Sequence, residues 1–291
     1  MDGSGEATPV AMLSLFEETA FSHCEAADWG IYRLLGEGYG WVLLRGAMEM
    51  SRYPAYRERF HIESWLSSSR LFRGEREFRV LAEDGEVLGA ARSLWAFMSI
   101  ERMRPAPVFP EILEAWAPNG VKAADLPLEG VDFPEPPSAP NGALREKSFH
   151  VRASEIDTNG HVNNVNYLAW ALEALAAEAG EDRMLARVRG HYKREVTYGS
   201  QVTSLALPEG EGFRHGVYAE GAAGEAPYLA AAAVSEWKAR PAKAASRALF
   251  AGACLARRRA GAALQAAAPQ GASLQGAARQ GAARQGAAAL T

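Results

Sequence analysis

The sequence predicts an α+β fold in which two antiparallel sheets each wrap a long helix and pack together as a pseudo-dimer within one chain. In two places a polar, glycine-containing turn leads into a helical pattern that is followed by several strand-like runs. These places are related by an offset of 155 residues, which puts Asp157 over Asp2 and Gly160 over Gly5. Between them, residues 118–142 have the proline-rich composition of a linker. One order of elements repeated on both sides of a linker indicates two related halves.

Apolar residues at a spacing of about 3.6 predict one long helix in each half. The first helix presents four apolar residues on one face: Val10, Leu13, Phe16 and Ala20. The second is predicted to bury Val165, Leu168, Ala169, Leu172, Leu175, Ala176 and Ala179, and to end at Gly180. Each helix would therefore bury one apolar stripe against its own sheet.

Strand-like runs follow each predicted helix. In the first half they are residues 41–50, 60–66, 76–82 and 86–100, with a hairpin turn at 83–86. In the second half they are residues 188–199, 201–210, 214–221 and 227–239. A further run at 147–152 precedes the second helix and has no counterpart before Asp2, so we expect the opening strand of the first half to be encoded upstream of Met1.

The predicted organisation is a first half at 1–117, the linker at 118–142, a second half at 143–242 and a tail at 243–291. The tail consists mainly of Ala, Gly, Arg and Gln and repeats every five residues over 270–289, which predicts disorder. It holds seven basic and no acidic residues, leaving 24 basic against 35 acidic residues in 1–242. That balance argues against a nucleic-acid partner for the folded part.

The cellular location follows from what the sequence lacks. Its two cysteines, Cys24 and Cys254, form neither a disulfide framework nor a zinc-binding spacing. No run approaches the ~18 apolar residues of a membrane span, and the first residues lack the features of a signal or transit peptide. We therefore expect a cytoplasmic, bacterial protein without a membrane span.

The stretch EIDTNGHVNNVNYLAW, residues 155–170, carries more polar residues than a helix start requires. Asp157, Asn159 and His161 are spaced by two, so in an extended turn their side chains would point the same way. They would meet at a helix N-terminus, whose free N–H groups and dipole favour developing negative charge. A carboxylate, an amide and an imidazole placed there could activate water and stabilise an oxyanion. The alternative is that Asn159 or Asn163 caps the helix and the other polar residues only shape the turn.

Residues 157–173 resemble the signature D-x-N-G-H-V-N-N-V-x-Y-x-x-W-x-L-E of the acyl-ACP thioesterases, which are enzymes with tandem hotdog domains. A second block, HYKREVTYGS at 191–200, is similar to the Y-R-R-E-C element of that family. In the first half, SRYPAY (51–56), ESWLSSSRLFRGEREFRV (63–80) and SLWAFMSIERMRP (93–105) resemble elements of its N-terminal hotdog. The resemblance covers about residues 2–240 and implies a double hotdog fold.

The resemblance implies a catalytic set made of Asp157, Asn159, His161 and Glu195. At the position of the family's cysteine stands Val196, which has no nucleophilic group, so water is the predicted nucleophile. Either Asp157 or Glu195 would be the general base, while Asn159 positions the water or a carboxylate and His161 polarises the thioester carbonyl. No metal and no cofactor is expected.

The implied function is hydrolysis of fatty acyl-ACP, which releases free fatty acid and ends chain elongation. The residues predicted to bind the substrate are Trp29, Tyr32, Leu35, Trp41, Asn163 and Asn164. The arginine-rich stretch 52–79 is predicted to dock the acidic acyl carrier protein through Arg52, Arg57, Arg59, Arg70 and Arg73. An acyl-CoA thioesterase and a non-catalytic acyl-binding protein on the same scaffold are the alternatives, and assembly as a homodimer is left open.

Overall fold

The computed structural model describes residues 1–134, 143–175, 182–221 and 225–241. Its helices are α1 (Pro9–Ala26), α2 (Ile31–Gly36), α3 (Pro110–Trp116) and α4 (Asn164–Glu173). Its strands are β1 (Tyr39–Met50), β2 (Phe60–Arg70), β3 (Arg73–Ala82), β4 (Val87–Ser99), β5 (Arg104–Pro105), β6 (Arg145–His150), β7 (Arg183–Tyr192), β8 (Gln201–Glu209), β9 (Gly212–Ala219) and β10 (Tyr228–Ala239). The predicted tail at 243–291 lies outside the described residues. Within them, no helix has both the length and the apolar character needed to cross a membrane.

The described strands form one antiparallel sheet in the order β2-β3-β4-β1-β7-β10-β9-β8-β6, with β5 paired to β4. The first half contributes β1 to β5 and the second half β6 to β10. They meet where β1 pairs with β7, from Arg45 opposite His191 to Glu49 opposite Arg187. The two predicted sheets are therefore joined edge to edge. Helix α1 packs on β2, α4 packs on β8, β9 and β10, and the two helices contact each other, which confirms the predicted α+β architecture.

The turns that precede α1 and α4 have the same backbone conformation. In the first, Gly5 N donates to Asp2 O at 3.1 Å, and in the second, Gly160 N donates to Asp157 O at the same distance of 3.1 Å. Both glycines have a φ of 79°, in the left-handed region that costs other residues strain. The sequence repeat at an offset of 155 residues is thus a repeat of local structure as well.

The buried face of α1 is rotated slightly from the predicted one. Met12, Phe16 and Ala20 are buried, whereas Val10 and Leu13 are only half-buried. Met12 is fully enclosed in the apolar cluster that also holds Phe16, so it replaces the two predicted residues as the centre of this face.

The buried residues of α4 are Val165, Tyr167, Leu168, Trp170 and Ala171. Ala169 and Leu172, both predicted to be buried, are only half-buried. The rings of Tyr167 and Trp170 belong to the buried face instead and pack into an apolar cluster with residues of β9 and β10. The predicted continuation of the helix through Ala176 and Ala179 to Gly180 lies outside the described residues.

Strand β7 is shifted towards the N-terminus relative to the predicted run at 188–199, since it spans Arg183–Tyr192. Beyond Tyr192, the backbone N–H groups of Lys193 and Arg194 both donate to Ala230 O, at 2.9 and 3.1 Å, which ends the regular ladder. Glu195 consequently lies in a loop, and the strand prediction for residues 193–199 is wrong.

Residues 118–134 have neither helix nor strand, and most of their side chains are exposed, but three apolar side chains anchor the segment to the protein. The buried side chains of this segment are Leu126, Val131 and Phe133. Its backbone is held by buried charges, since Arg92 Nη1 donates to Leu126 O at 2.6 Å and Glu77 Oε2 accepts from Ala123 N at 3.0 Å. This part of the predicted linker is therefore a fixed strap, and the remainder of that linker lies outside the described residues.

Candidate active site

The loop before α4 is shaped by Asp157. Its Oδ1 accepts a hydrogen bond from the Asn159 backbone N at 2.8 Å, and its Oδ2 accepts one from the Asn159 side chain at 3.3 Å. The backbone N–H of Asp157 donates to His161 O at 2.8 Å, which closes the turn. The carboxylate of Asp157 and the amide of Asn159 are thus in contact, while His161 joins the same turn through its backbone.

The imidazole of His161 faces Glu195, with Nδ1 3.4 Å from Oε2. Val162 N donates to Val196 O at 2.9 Å, so the loop after β7 is joined to the loop before α4. The side chains of His161 and Glu195 are 40% and 58% exposed, which leaves the pair open to water. The Tyr228 hydroxyl donates to Glu195 O at 2.9 Å and fixes the backbone there. The four predicted catalytic residues therefore form two contacting pairs on adjoining loops.

The N-terminus of α4 is held by residues of both halves. Asn163 is the capping residue, and its Oδ1 accepts from Val165 N at 2.8 Å. Its Nδ2 donates to Glu17 Oε2 on α1 at 2.9 Å. The Tyr167 hydroxyl accepts from Val196 N at 3.0 Å, which ties the first turn of α4 to the loop that carries Glu195. The dipole of a helix fixed in this way favours negative charge at its start.

A cavity of about 100 Å³ lies between α1, α4 and the joined strands of the two halves. Its walls are mainly apolar and include Leu13, Phe16, Leu43, Met48, Leu168 and Val188. Glu17, Asn164 and Tyr192 also line it, so the cavity extends to the first turn of α4. Polar residues of β4 and β7, among them Arg92 and His191, line it as well. An apolar cavity with a small number of polar groups is the usual form of a small-molecule site.

Most of the residues predicted to bind the substrate lie elsewhere. Asn164 lines the cavity, and Asn163 caps α4 beside it without lining it. The first-half residues Trp29, Tyr32, Leu35 and Trp41 do not line it, which argues against their assignment. Helix α2 holds Tyr32 and Leu35 at the surface, where they are 77% and 40% exposed. Trp29 and Trp41 pack instead in a separate apolar cluster with residues of α3.

Glu17 is a partly buried carboxylate of this region that none of the sequence motifs marks. Burial raises its pKa above the usual value, the hydrogen bond from Asn163 opposes that rise, and the negative charge of Asp157 adds to it. Burial also raises the pKa of Tyr192, with a smaller contribution from the charge of Glu17. The internal repeat is the sequence feature that could have marked Glu17, because it aligns this acidic residue with the apolar Leu172.

The five arginines predicted to dock a carrier protein do not form one patch. Arg52, Arg57 and Arg59 lie in the connection between β1 and β2, and Arg70 and Arg73 lie where β2 turns into β3. Because β2 has 11 residues, its two ends are roughly 35 Å apart. Arg52 also pairs with Glu58 at 2.7 Å and with Glu86 at 2.6 Å, so its charge is locally neutralised.

Strand register shows which arginines lie at the same end of the sheet as the candidate site. Gly74 of β3 is opposite Trp95 of β4, and Trp95 is opposite Leu43 of β1. Two residues further along β1, Arg45 lies opposite His191 of β7. The turn between β2 and β3 therefore lies at the end of the sheet where β7 ends and the loop of the candidate site begins. The connection between β1 and β2 lies at the other end.

Models of one protein family match both halves of the chain. The acyl-ACP thioesterase N-terminal domain matches residues 1–116, and the acyl-ACP thioesterase C-terminal domain matches residues 138–238. The chain belongs to the acyl-ACP thioesterase family. The resemblance drawn from the sequence motifs is thereby confirmed for the N-terminal and the C-terminal part of the chain.

Curated relatives of this acyl-ACP thioesterase family member are found in plants. A chloroplastic acyl-ACP hydrolase of Cuphea viscosissima is 28% identical over 222 residues, which are 70% of this chain and 51% of that protein. The chloroplastic oleoyl-acyl carrier protein thioesterase of Coriandrum sativum is 30% identical over 183 residues, 58% of this chain and 47% of that protein. The chain spans about half the length of the curated relatives it matches.

Solved structures establish the fold. An acyl-ACP thioesterase from Bacteroides thetaiotaomicron superposes with a TM-score of 0.71 at 22% identity, over 82% of this chain and 93% of that one. The 12:0-ACP thioesterase from Umbellularia californica superposes with a TM-score of 0.69 at 21% identity, also over 82% and 93%. The predicted double hotdog fold is thus confirmed.

Proposed function

We propose that this chain hydrolyses the thioester of fatty acyl-ACP, releasing a free fatty acid and ending chain elongation. The observation that carries the proposal is the apolar cavity between α1 and α4, which reaches the first turn of α4 next to the loop of Asp157 and His161. The apolar walls suit an acyl chain, and the helix start suits a thioester carbonyl that becomes negatively charged. Membership of the family supports the reaction class.

In the proposed reaction, water attacks the thioester carbon while the carbonyl oxygen faces the N-terminus of α4. The N–H groups and dipole of the helix stabilise the oxyanion as it forms. Glu195 takes a proton from the attacking water. His161, whose Nδ1 lies 3.4 Å from Glu195 Oε2, holds the carboxylate and the water in place. The tetrahedral intermediate then collapses, the carbon–sulfur bond breaks, and the proton on Glu195 passes to the thiolate of the carrier.

The hydrogen bonds favour Glu195 over Asp157 as the base. Both carboxylate oxygens of Asp157 accept hydrogen bonds from Asn159 within the turn. Among the described residues, the carboxylate of Glu195 contacts only His161, through Oε2, and Oε1 is left to accept from a water. Asp157 then serves to hold Asn159 and the turn in position.

The proposal is tested by following thiol release from acyl-ACP and from acyl-CoA of several chain lengths. We expect release from acyl-ACP with a higher kcat/KM than from the matching acyl-CoA. Release from acyl-CoA alone would show an acyl-CoA thioesterase. Binding of either compound without any release would support a non-catalytic acyl-binding protein and refute hydrolysis.

Docking of acyl carrier protein is proposed at Arg70 and Arg73, which flank the 80% exposed Leu71 at the site end of the sheet. We expect the double substitution Arg70→Glu/Arg73→Glu to lower kcat/KM for acyl-ACP about 10-fold at low ionic strength, because long-range attraction speeds association with an acidic partner. The rate with uncharged acyl-pantetheine should stay unchanged, and salt should reduce the difference.

The matched control is Arg57→Glu/Arg59→Glu, which makes the same charge change at the opposite end of the sheet. This variant should keep the wild-type rate with acyl-ACP. An equal loss in the two double variants would mean that only net charge matters, and the docking assignment would then be wrong.

A further inference from the structure

Glu17 lies where the cavity meets the loops of the candidate site. It projects from α1 of the first half and is the only carboxylate among the described residues that line the cavity. Its Oε2 accepts the hydrogen bond from Asn163 Nδ2 at 2.9 Å, so it contacts the residue that caps α4. The predicted catalytic residues all belong to the second half, and Glu17 is therefore a contribution of the first half to the same region.

Stability of the helix does not account for this carboxylate. Asn163 caps α4 through its Oδ1 alone, which accepts from Val165 N at 2.8 Å. A carboxylate partly withdrawn from water into an apolar cavity loses solvation, and a neutral acceptor would serve the Asn163 amide with less loss. The carboxylate thus carries a desolvation cost that capping of the helix does not require, which is common for groups kept for function.

The internal repeat provides a comparison inside the molecule. At the offset of 155 residues, Glu17 of α1 corresponds to Leu172 of α4, and Asn163 corresponds to Thr8. Thr8 caps α1 through its hydroxyl, which accepts from Ala11 N at 3.1 Å. Leu172 packs against the apolar cluster of α1, as expected for a helix face that serves only the core. The acidic residue is therefore present on α1, next to the proposed site, and absent from the corresponding position of α4.

We propose that Glu17 is a positioning residue of the thioester site, which holds the Asn163 side chain and with it the first turn of α4 in the orientation that stabilises the oxyanion. This inference rests on the proposed function. The N–H groups at the start of α4 act on charge that develops only in the transition state, so a misoriented turn lowers kcat more than it changes KM. Burial and the neighbouring Asp157 both raise the pKa of Glu17, in keeping with its place at the border of the apolar cavity.

The test compares Glu17→Leu, Glu17→Gln and the control Glu18→Gln, measuring kcat and KM for acyl-ACP together with melting temperature. Leucine is the residue that the repeat carries at this position, and it removes the acceptor. We expect Glu17→Leu to lower kcat roughly 10- to 100-fold with KM changed less than about 3-fold. Glu17→Gln should recover most of kcat because its amide oxygen can accept from Asn163. Glu18, exposed on the same helix, should be replaceable without effect.

Three results would overturn the inference. Wild-type kcat in Glu17→Leu would show that the contact is dispensable. An equal loss in the Gln and Leu variants would show that the charge itself is required, and a loss that follows a lowered melting temperature would show a structural role. These outcomes presuppose an active wild type. An inactive wild type would refute the proposed function, and this inference with it, so the two failures are distinguishable.

Discussion

Replacement of Glu195 with Gln should lower kcat for acyl-ACP by about 10²- to 10⁴-fold, because an amide cannot take the proton of the attacking water. Glutamine has nearly the same shape, and its amide can still contact His161, which lies 3.4 Å from the carboxylate. Glu195 is also 58% exposed, so the exchange should leave the melting temperature within a few degrees of the wild type. The measurement is steady-state thiol release at saturating substrate.

Asp157→Asn is the companion variant, and it distinguishes the roles of the two carboxylates. The oxygen of the new side-chain amide could still accept from the Asn159 backbone N–H. Its NH₂ group would then face the NH₂ group of the Asn159 side chain, so the second hydrogen bond, 3.3 Å long in the wild type, would be lost. We expect a smaller loss than in Glu195→Gln, of about 10- to 100-fold, because a displaced turn misplaces the other groups without removing the base. Wild-type rates in both variants would contradict the proposed site.

Replacement of Glu77 with Ala should destabilise the protein by about 2–4 kcal/mol, because it removes one of the two carboxylates that pair with the buried Arg92 and takes an acceptor from further buried donors. The side chain of Glu77 is fully buried and that of Arg92 is only 5% exposed, and Nε of Arg92 lies 2.9 Å from Glu77 Oε1. Glu77 also accepts hydrogen bonds from Ser67 Oγ at 2.7 Å and from Ala123 N at 3.0 Å. Three partners would thus lose this acceptor at once, and Arg92 would keep Glu75 Oε2, at 2.8 Å, as its remaining carboxylate. Urea denaturation gives the change in the free energy of unfolding.

Glu83→Ala is the matched control for that prediction. Glu83 pairs with Arg59 at 3.6 Å, but the two side chains are 71% and 83% exposed, so water screens the pair. An exposed pair of this kind contributes between zero and about 1 kcal/mol. A loss below about 1 kcal/mol in Glu77→Ala would show that the charges beneath the strap of residues 118–134 do not secure it.

The features that the sequence predicted well are those encoded in neighbouring residues. The turn before α4 is determined by Gly160, which takes a positive φ, and by Asn163, which caps the helix. Strand and helix order followed from apolar periodicity, and the similarity of the segment that begins at Asp2 to the segment that begins at Asp157 indicated the repeat. These features can be predicted without knowing which distant segments of the chain contact each other.

The features that the sequence did not predict depend on long-range packing. Trp29 and Trp41 are apolar and lie near the first helix in sequence, but α3 packs with them in a cluster away from the cavity. The contact of Glu17 with Asn163 joins residues 146 positions apart on different helices. The separation of the arginines into two groups depends on the length of β2 and its pairing partners. None of these contacts can be predicted from the spacing of residues that are close together in the sequence.

The most direct test of the account is a crystal structure with an acyl-pantetheine analogue in which a methylene group replaces the thioester sulfur. The account predicts that the ketone oxygen lies within hydrogen-bonding distance of a backbone N–H in the first turn of α4. The alkyl chain should pass between Phe16 of α1 and Leu168 of α4, and the pantetheine should leave past His161 and Glu195. An analogue bound with its chain in the Trp29 and Trp41 cluster, or with its carbonyl remote from α4, would contradict the account.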